Sequence, residues 1–363
     1  VHGRRRQGKS WLLRRLVREA GGIYTMALQH DRPSALGRFA EDLGRSSDLD
    51  GVRFQLDDWE DALTTARSVL ARQGQRILVL DEYPYLLEHS PELSSVLQAF
   101  YDEVRSDGGA SPVRLLLCGS AISVMEELLS GQSPLRGRTS LQMRLRPFDY
   151  RTSAEFWETD DSELAFNLNA ILGGTAGYRD LVQSELPPDL EGLSRWLSET
   201  VLNPSSALFT EDDFLLREDP RIRDRALYYS ILQAVSEGNH TRTDIAGAVG
   251  RKRTDLAHPL EVLETSGFLT ISRDIRKKRG SSVRIADPIV RFHQLITKPR
   301  LSQFEERQFE AAWSAAVPTY RSQILGPHFE ELARQWVRLF ADQRTLGGET
   351  GEVGYTVVAD PDH

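Results

Sequence analysis

Eight residues near the start of the chain, Gly3-Arg4-Arg5-Arg6-Gln7-Gly8-Lys9-Ser10, have the spacing G-x-x-x-x-G-K-[ST], and the helical pattern WLLRRLVREA follows at once. Glycines permit a tight backbone turn there. The loop amides and the N-terminus of the following helix then point at phosphate oxygens. In such a loop Lys9 reaches the terminal phosphates, and the Ser10 hydroxyl is a magnesium ligand. Arg4, Arg5, Arg6 and Gln7 fill the variable positions, where backbone rather than side chain makes the cradle. The arginine side chains are expected to face outward, attracting nucleotide or meeting an acidic neighbour.

A second constellation lies at Arg76-Ile77-Leu78-Val79-Leu80-Asp81-Glu82, an apolar strand that ends in adjacent carboxylates. The pair suits Asp81 as an outer-sphere magnesium holder and Glu82 as the base that orients attacking water. Adjacent acids at a strand end could instead be mere capping, but a nucleotide kinase or a small switch GTPase would not normally need the second acid there. The two together point to hydrolysis of ATP, and Glu82 argues against a kinase-like phosphotransferase. A further apolar strand, Leu115-Leu116-Leu117-Cys118, ends in Gly119-Ser120. In a parallel sheet Ser120 would sit beside the phosphate loop, where it could sense the terminal phosphate or position water. As a helix N-cap before AISVMEELL it would do neither.

These residues need a scaffold. GGIYTMALQ reads as turn then strand, PSALGRFAEDLG as a helix, and DWEDALTTARSVLARQG as another that Asp57 or Asp58 caps. PELSSVLQAFYDEVRS begins a helix at proline, and SLQMRLRPF is a further candidate strand. Short apolar strands alternating with helices predict an α/β unit with a parallel sheet covered on both faces. The strand signal ends near residue 148, and the helices DYRTSAEFW, ELAFNLNAILGG and LEGLSRWLSETVL follow. From 221 the helices YYSILQAVSEG, TRTDIAGAVG and RTDLAHPLEVLETSGFL precede LTISRDIRKKRGSSVRIAD, which reads as a two-stranded hairpin with a basic tip. No repeat or low-complexity tract is visible.

Composition bounds the rest. With 363 residues the chain exceeds one ordinary core, which predicts two to four domains. Lys and Arg number 45 against 53 Asp and Glu, a formal charge of -8, so any contact with nucleic acid must come from a local basic patch. The single cysteine, Cys118, excludes an internal disulfide and reads as a buried small hydrophobe in a reducing cytoplasm. Runs such as ILVL and LLLC fall far short of the about 18 apolar residues of a membrane span. No H-x-x-x-H or H-E-x-x-H pair occurs, so no zinc site is expected. Trp157, Trp196, Trp313 and Trp336 lie on separate amphipathic helices and are expected in cores rather than in a base-stacking platform.

The ordered set GRRRQGKSWLL, RILVLDEYPYL, LLLCGSAISVM, SPLRGRTSLQMRLRPFDY and ILGGTAGY resembles the prokaryotic family called archaeal ATPases, close to the AAA+ and STAND groups, over residues 1 to about 180. The resemblance implies an α/β P-loop NTPase of the ASCE, AAA+-like class that uses ATP and Mg2+. It makes Arg138 in SPLRGR the position most like an arginine finger, with Arg136 as the alternative and a salt-bridged surface arginine as the plain reading. Such a finger implies a nucleotide-dependent homo-oligomer. One departure is visible: Gly173-Gly174-Thr175-Ala176-Gly177-Tyr178 has alanine where family members commonly have proline, which puts nucleotide contacts from this segment in doubt.

By the same reading residues 1–147 form the ATPase domain with its first strand cut to Val1 and His2, and weaker ATP affinity is expected of it than of a chain with that strand whole. Residues 148–220 form a helical lid, and 221–297 resemble a winged helix-turn-helix. Arg251, Lys252 and Arg253 ahead of its recognition helix, and Lys277, Lys278 and Arg279 at the wing tip, are candidate contacts to DNA phosphates. Residues 298–363 resemble the start of a truncated nuclease-like α/β domain, in which Glu330 or Glu331 would bind magnesium only with later acidic and E-x-K elements. The chain stops at VVADPDH, so no nuclease activity is expected of it. The function expected is Mg-dependent ATP binding and hydrolysis by a molecular switch coupled to a winged helix. The alternative is an ATP-gated DNA-binding regulator with vestigial hydrolysis.

Overall fold

The computed structural model describes residues 1–47, 53–106, 113–131, 133–182, 185–217, 219–276, 280–349 and 351–356. The chain divides into two compact units, Val1–Arg146 and Pro147–His363. No helix among the described residues is long and apolar enough to cross a membrane.

In the first unit the elements run α1 (Lys9–Ala20), β1 (Ile23–Met26), α2 (Arg32–Ser46), α3 (Trp59–Arg72), β2 (Ile77–Asp81), α4 (Tyr83–His89), α5 (Leu93–Ser106), β3 (Arg114–Leu117) and α6 (Ile122–Glu127). The three strands are parallel in the order β1-β2-β3. The sheet continues past β3 through short pairings. The Val1 amino group donates to the Leu117 carbonyl at 2.7 Å, and His2 bridges in parallel to Gly119 on one side and Arg144 on the other. Of the strand expected in SLQMRLRPF, Arg144 alone carries such a bridge, supported by His2 N to Met143 O at 2.9 Å and Leu145 N to His2 O at 2.8 Å.

Every residue of β2 is buried, and its side chains divide by parity. Leu78 and Leu80 join the larger cluster with Phe39, Trp59, Leu63 and Leu97 under α2, α3 and α5, while Ile77 and Val79 face Leu13 of α1 and Cys118. Successive residues of a strand point to opposite faces, so Asp81 falls on the α1 face with Ile77 and Val79. The helices start where local chemistry stops the strands and loops. Asp31 caps α2, and Asp58, rather than Asp57, caps α3 by accepting from the Asp61 amide at 2.8 Å.

The second unit runs α7 (Tyr150–Trp157), α8 (Ser162–Leu172), α9 (Leu193–Glu199), α10 (Glu211–Arg217), α11 (Arg225–Ser236), α12 (Arg242–Ala248), α13 (Ala257–Thr265), β4 (Leu269–Arg273), β5 (Ser281–Ile285), α14 (Pro288–Phe292), α15 (Leu301–Glu305), α16 (Phe309–Thr319), α17 (Gly326–Leu339) and α18 (Gln343–Leu346). β4 and β5 pair antiparallel, with Leu269 opposite Ile285. One continuous apolar core runs from Trp157 through Leu232, Leu260 and Phe292 to Ile324. Trp157 and Trp196 are in it, Trp313 packs against it half-buried, and Trp336 lies exposed on α17.

A polar knot sits inside this core. Asp212 meets His293 Nδ1 at 2.7 Å and Lys298 Nζ at 2.8 Å, with both Asp212 and His293 buried. Burial would raise the Asp212 carboxyl, but the charge of His293 and then of Lys298 outweighs it and holds the group down at about 2. At the edge of the unit the Phe148 amide donates to the Gly174 carbonyl at 2.8 Å. The two backbones approach so closely that a Cβ on Gly174 would lie 2.0 Å from the Phe148 oxygen. Gly174→Ala is therefore expected to cost about 2 kcal/mol or more, read as a lower urea midpoint with an unchanged slope. A midpoint equal to that of the wild type would show that this approach is slack.

Candidate functional site

The loop before α1 owes its shape to residues with positive φ. Gly3 (154°), Arg6 (64°) and Gly8 (81°) all take positive φ within six residues. A Cβ on Gly3 would meet the Leu145 carbonyl oxygen at 2.5 Å, so glycine is required by space as well as by dihedral. Gly8 stands in the left-handed region with open space around it and feeds straight into the first turn of α1. The result is a concave run of amides at a helix N-terminus, the geometry that takes anions. Lys9 is buried and donates from Nζ to the Arg4 carbonyl at 2.9 Å, which bends it back over the loop. Arg5 is exposed, Arg4, Arg6 and Gln7 are half-buried, and the buried Gln7 Oε1 has no hydrogen-bond partner.

Asp81 is fully buried at the end of β2, on the face where α1 begins. Its Oδ1 accepts from the Glu82 amide at 2.9 Å and its Oδ2 from the Tyr24 hydroxyl at 2.5 Å. The Cys118 thiol and the Ser10 hydroxyl lie beside it and favour its charged form. Burial by itself would push this carboxyl up; Cys118, Ser10, Tyr24 and the Glu82 amide reverse that and hold it below the usual carboxylate range. The same burial pushes the Cys118 thiol and the Tyr24 phenol up, the latter to about 12. Both therefore keep their protons.

Glu82 leaves the strand. Its backbone takes the left-handed conformation, φ 52° and ψ 42°, ahead of α4, a region that costs a residue with a Cβ about 1 kcal/mol or more. This turn carries its carboxylate to Ser120, whose hydroxyl and amide donate to Glu82 Oε2 at 2.9 and 3.2 Å. Gly119 makes the approach possible, since a Cβ there would lie 2.6 Å from Pro84 Cδ and 2.9 Å from Met125 Sδ.

The structure thus links Asp81, Glu82 and Ser120 by hydrogen bonds and brings Ser10 beside Asp81. Ser10 and Asp81 are hard oxygen donors, which fit Mg2+ shared with phosphate oxygens. That ion ordinarily takes one or two protein ligands and completes its shell from substrate and water. Among the described residues no group of three or more His, Cys, Asp and Glu side chains could hold a metal. Sequence reasoning missed Tyr24 and Gly119, and read Cys118 as a hydrophobe without its place beside Asp81. The strand parity of Tyr24, on the α1 face of β1, was the only available signal.

Other candidates have different partners. Arg138 grips Asp102 of α5 through Nε at 3.0 Å and a second nitrogen at 2.9 Å, and reaches the Pro134 carbonyl at 3.1 Å. Arg136 donates to the Gly131 carbonyl at 2.8 Å. Glu330 lies 3.6 Å from both Arg284 and Arg334, and Glu331 pairs with Arg334 at 3.0 Å. Arg251, Lys252 and Arg253 are exposed between α12 and α13, whereas Lys277, Lys278 and Arg279 lie outside the described residues.

Residues 1–170 match the model of an ATPase domain predominantly from Archaea. An uncharacterized protein of Methanocaldococcus jannaschii is 26% identical over 342 residues, 93% of this chain and 72% of that one. Among solved structures, the Walker-type ATPase PABY2304 of Pyrococcus abyssi superposes with a TM-score of 0.58 at 19% identity, covering 81% of this chain and 89% of that chain. The likeness extends the shared fold beyond the first unit.

The strained backbone at Glu82 yields a stability test. Glu82→Gly should unfold at a higher urea concentration than Glu82→Ala by about 1 kcal/mol, because glycine adopts positive φ without steric cost. Equal midpoints would show that φ 52° carries no strain.

Proposed function

We propose that this chain is an Mg-dependent ATPase that works as a slow molecular switch. The observation that carries the reading is the buried Asp81 beside Ser10 at the end of a loop of positive-φ residues, with Glu82 next in sequence and tethered to Ser120. In this reading the loop amides and Lys9 hold the phosphates, while Ser10 and the buried Asp81 hold Mg2+, which supplies charge neutralisation between the phosphates. Glu82 orients the attacking water, and Ser120 reads the terminal phosphate.

The present hydrogen bonds give this switch a physical form. While Ser120 donates to Glu82 Oε2 at 2.9 Å, one carboxylate oxygen is occupied. A terminal phosphate that attracts the Ser120 hydroxyl frees that oxygen for water. Arg138 acts in this scheme as the finger that answers developing charge across a contact between copies, after leaving Asp102. The match of residues 1–170 to an archaeal ATPase domain supports nucleotide use, and the single buried cysteine suits a reducing cytoplasm. The second unit would then supply the lid, a winged helix and the start of a nuclease-like domain.

Two substitutions test the assignment. Lys9→Ala should abolish detectable ATP binding by calorimetry. Glu82→Gln should bind ATP as the wild type does, yet release phosphate at least about 100-fold more slowly. Undiminished turnover in Glu82→Gln would sink the role given to that residue.

A second reading is an ATP-gated regulator that binds duplex DNA, with hydrolysis vestigial. It is favoured by the three helices α11 to α13 followed by the β4–β5 hairpin, with Arg251, Lys252 and Arg253 exposed directly ahead of α13. Reversing those three to glutamate should remove ATP-dependent affinity for duplex DNA, and the wild-type affinity should fall steeply with salt. DNA affinity that survives the reversal, or that ignores salt, would rule out this segment as the contact.

A further inference from the structure

We propose that Tyr24 is a positioning residue for the metal-facing carboxylate: with Arg14 packed over its ring, its phenol fixes the rotation of Asp81 beside Ser10. The inference rests on the ATP-binding reading above and adds to it a residue outside the phosphate loop and the acidic pair.

The geometry is specific. Tyr24 lies opposite Val79 in the β1–β2 register and on the α1 face of the sheet, two residues short of the pairing of Met26 with Asp81. Its hydroxyl reaches Asp81 Oδ2 at 2.5 Å while the Glu82 amide takes Oδ1 at 2.9 Å, so each carboxylate oxygen has its own donor from a different strand position. A phenol has one proton, and a guanidinium has no lone pair to receive it. Arg14 lies over the ring with its Cζ 4.9 Å from the centroid. Because a carboxylate oxygen can only accept, the phenol's proton goes to Asp81.

Helix α1 makes both ends of this arrangement. Ser10 and Arg14 are four residues apart and so share one face of the helix. That face brings Ser10 beside Asp81 and sets the Arg14 guanidinium over the Tyr24 ring. Without the phenol, Oδ2 loses its donor from β1 and the carboxylate can swing away from Ser10. Partners that orient a metal's ligands typically account for about 10-fold or more in metal affinity.

The test uses the whole chain. ATP is titrated calorimetrically into wild type, Lys9→Ala, Tyr24→Phe and Arg14→Met, once in EDTA and again at graded MgCl2. For Tyr24→Phe the magnesium concentration that half-restores full ATP affinity should rise about 10-fold, with affinity in EDTA unchanged. Arg14→Met, a change on the exposed side of α1, should move the midpoint in the same direction by a smaller factor and decides the matter if Tyr24→Phe folds poorly. A Tyr24→Phe midpoint equal to wild type, or an equal loss of affinity with and without magnesium, overturns the inference while leaving the ATP-binding reading intact. A wild type whose ATP binding ignores both magnesium and Lys9→Ala overturns the reading itself.

Discussion

A carboxylate at the end of a strand that is buried on both faces loses its water, and in a medium of low polarity the ion survives only where donors replace that water. Asp81 meets this condition through the Tyr24 phenol on β1 and the next amide along the chain, with the Ser10 hydroxyl at the start of α1 and the Cys118 thiol after β3 favouring its charged form. Those groups come from every part of the sheet that borders the loop, so the strand order and the register are constraints on one ion. A shift of β1 by one residue would turn Tyr24 to the opposite face. The small apolar cluster of Leu13, Ile77, Val79 and Cys118 has the matching task of pressing α1 onto that face.

Much of this was legible in the sequence because it is local. The phosphate loop, the strand into Asp81-Glu82 and the strand into Gly119-Ser120 are each contiguous, and the parity of β2 follows from counting residues. What stayed hidden depends on pairing between segments far apart in the chain. Tyr24 reaches Asp81 across 57 residues, and nothing within IYTM marks its tyrosine as more than a strand former. Cys118 sits in an apolar run, and its thiol favours the ion only because β2 brings a carboxylate beside it. The strand expected in SLQMRLRPF appears only as a bridge between Arg144 and His2, a pairing that no local pattern in that segment marks.

The second unit shows the opposite limit. Local pattern divides it at turns into a helical segment, three helices with a hairpin, and a closing segment, but burial ignores those divisions. The core that includes Trp157, Leu260 and Ile324 draws on all of them, and Asp212 of α10 is tied to His293 and Lys298 across 81 residues and more. Trp336 misled for a related reason. An amphipathic pattern identifies an apolar face on α17 without saying whether anything covers it, and in this structure the tryptophan is exposed.

Adjacent residues with the same functional group reach different chemistry at the acidic pair. Asp81 continues the pleat into the sheet and is held as a buried ion, whereas the left-handed turn at Glu82 swings the next carboxylate out of the strand. Regular strand geometry would send Glu82 to the α2 side with Leu78 and Leu80, away from the loop. The strained turn aims it at Ser120 instead, and Gly119 clears the space for that contact by letting the end of β3 pass close to Pro84. Backbone conformation, more than residue type, therefore separates a buried acid held within the sheet from its neighbour, which is aimed at Ser120.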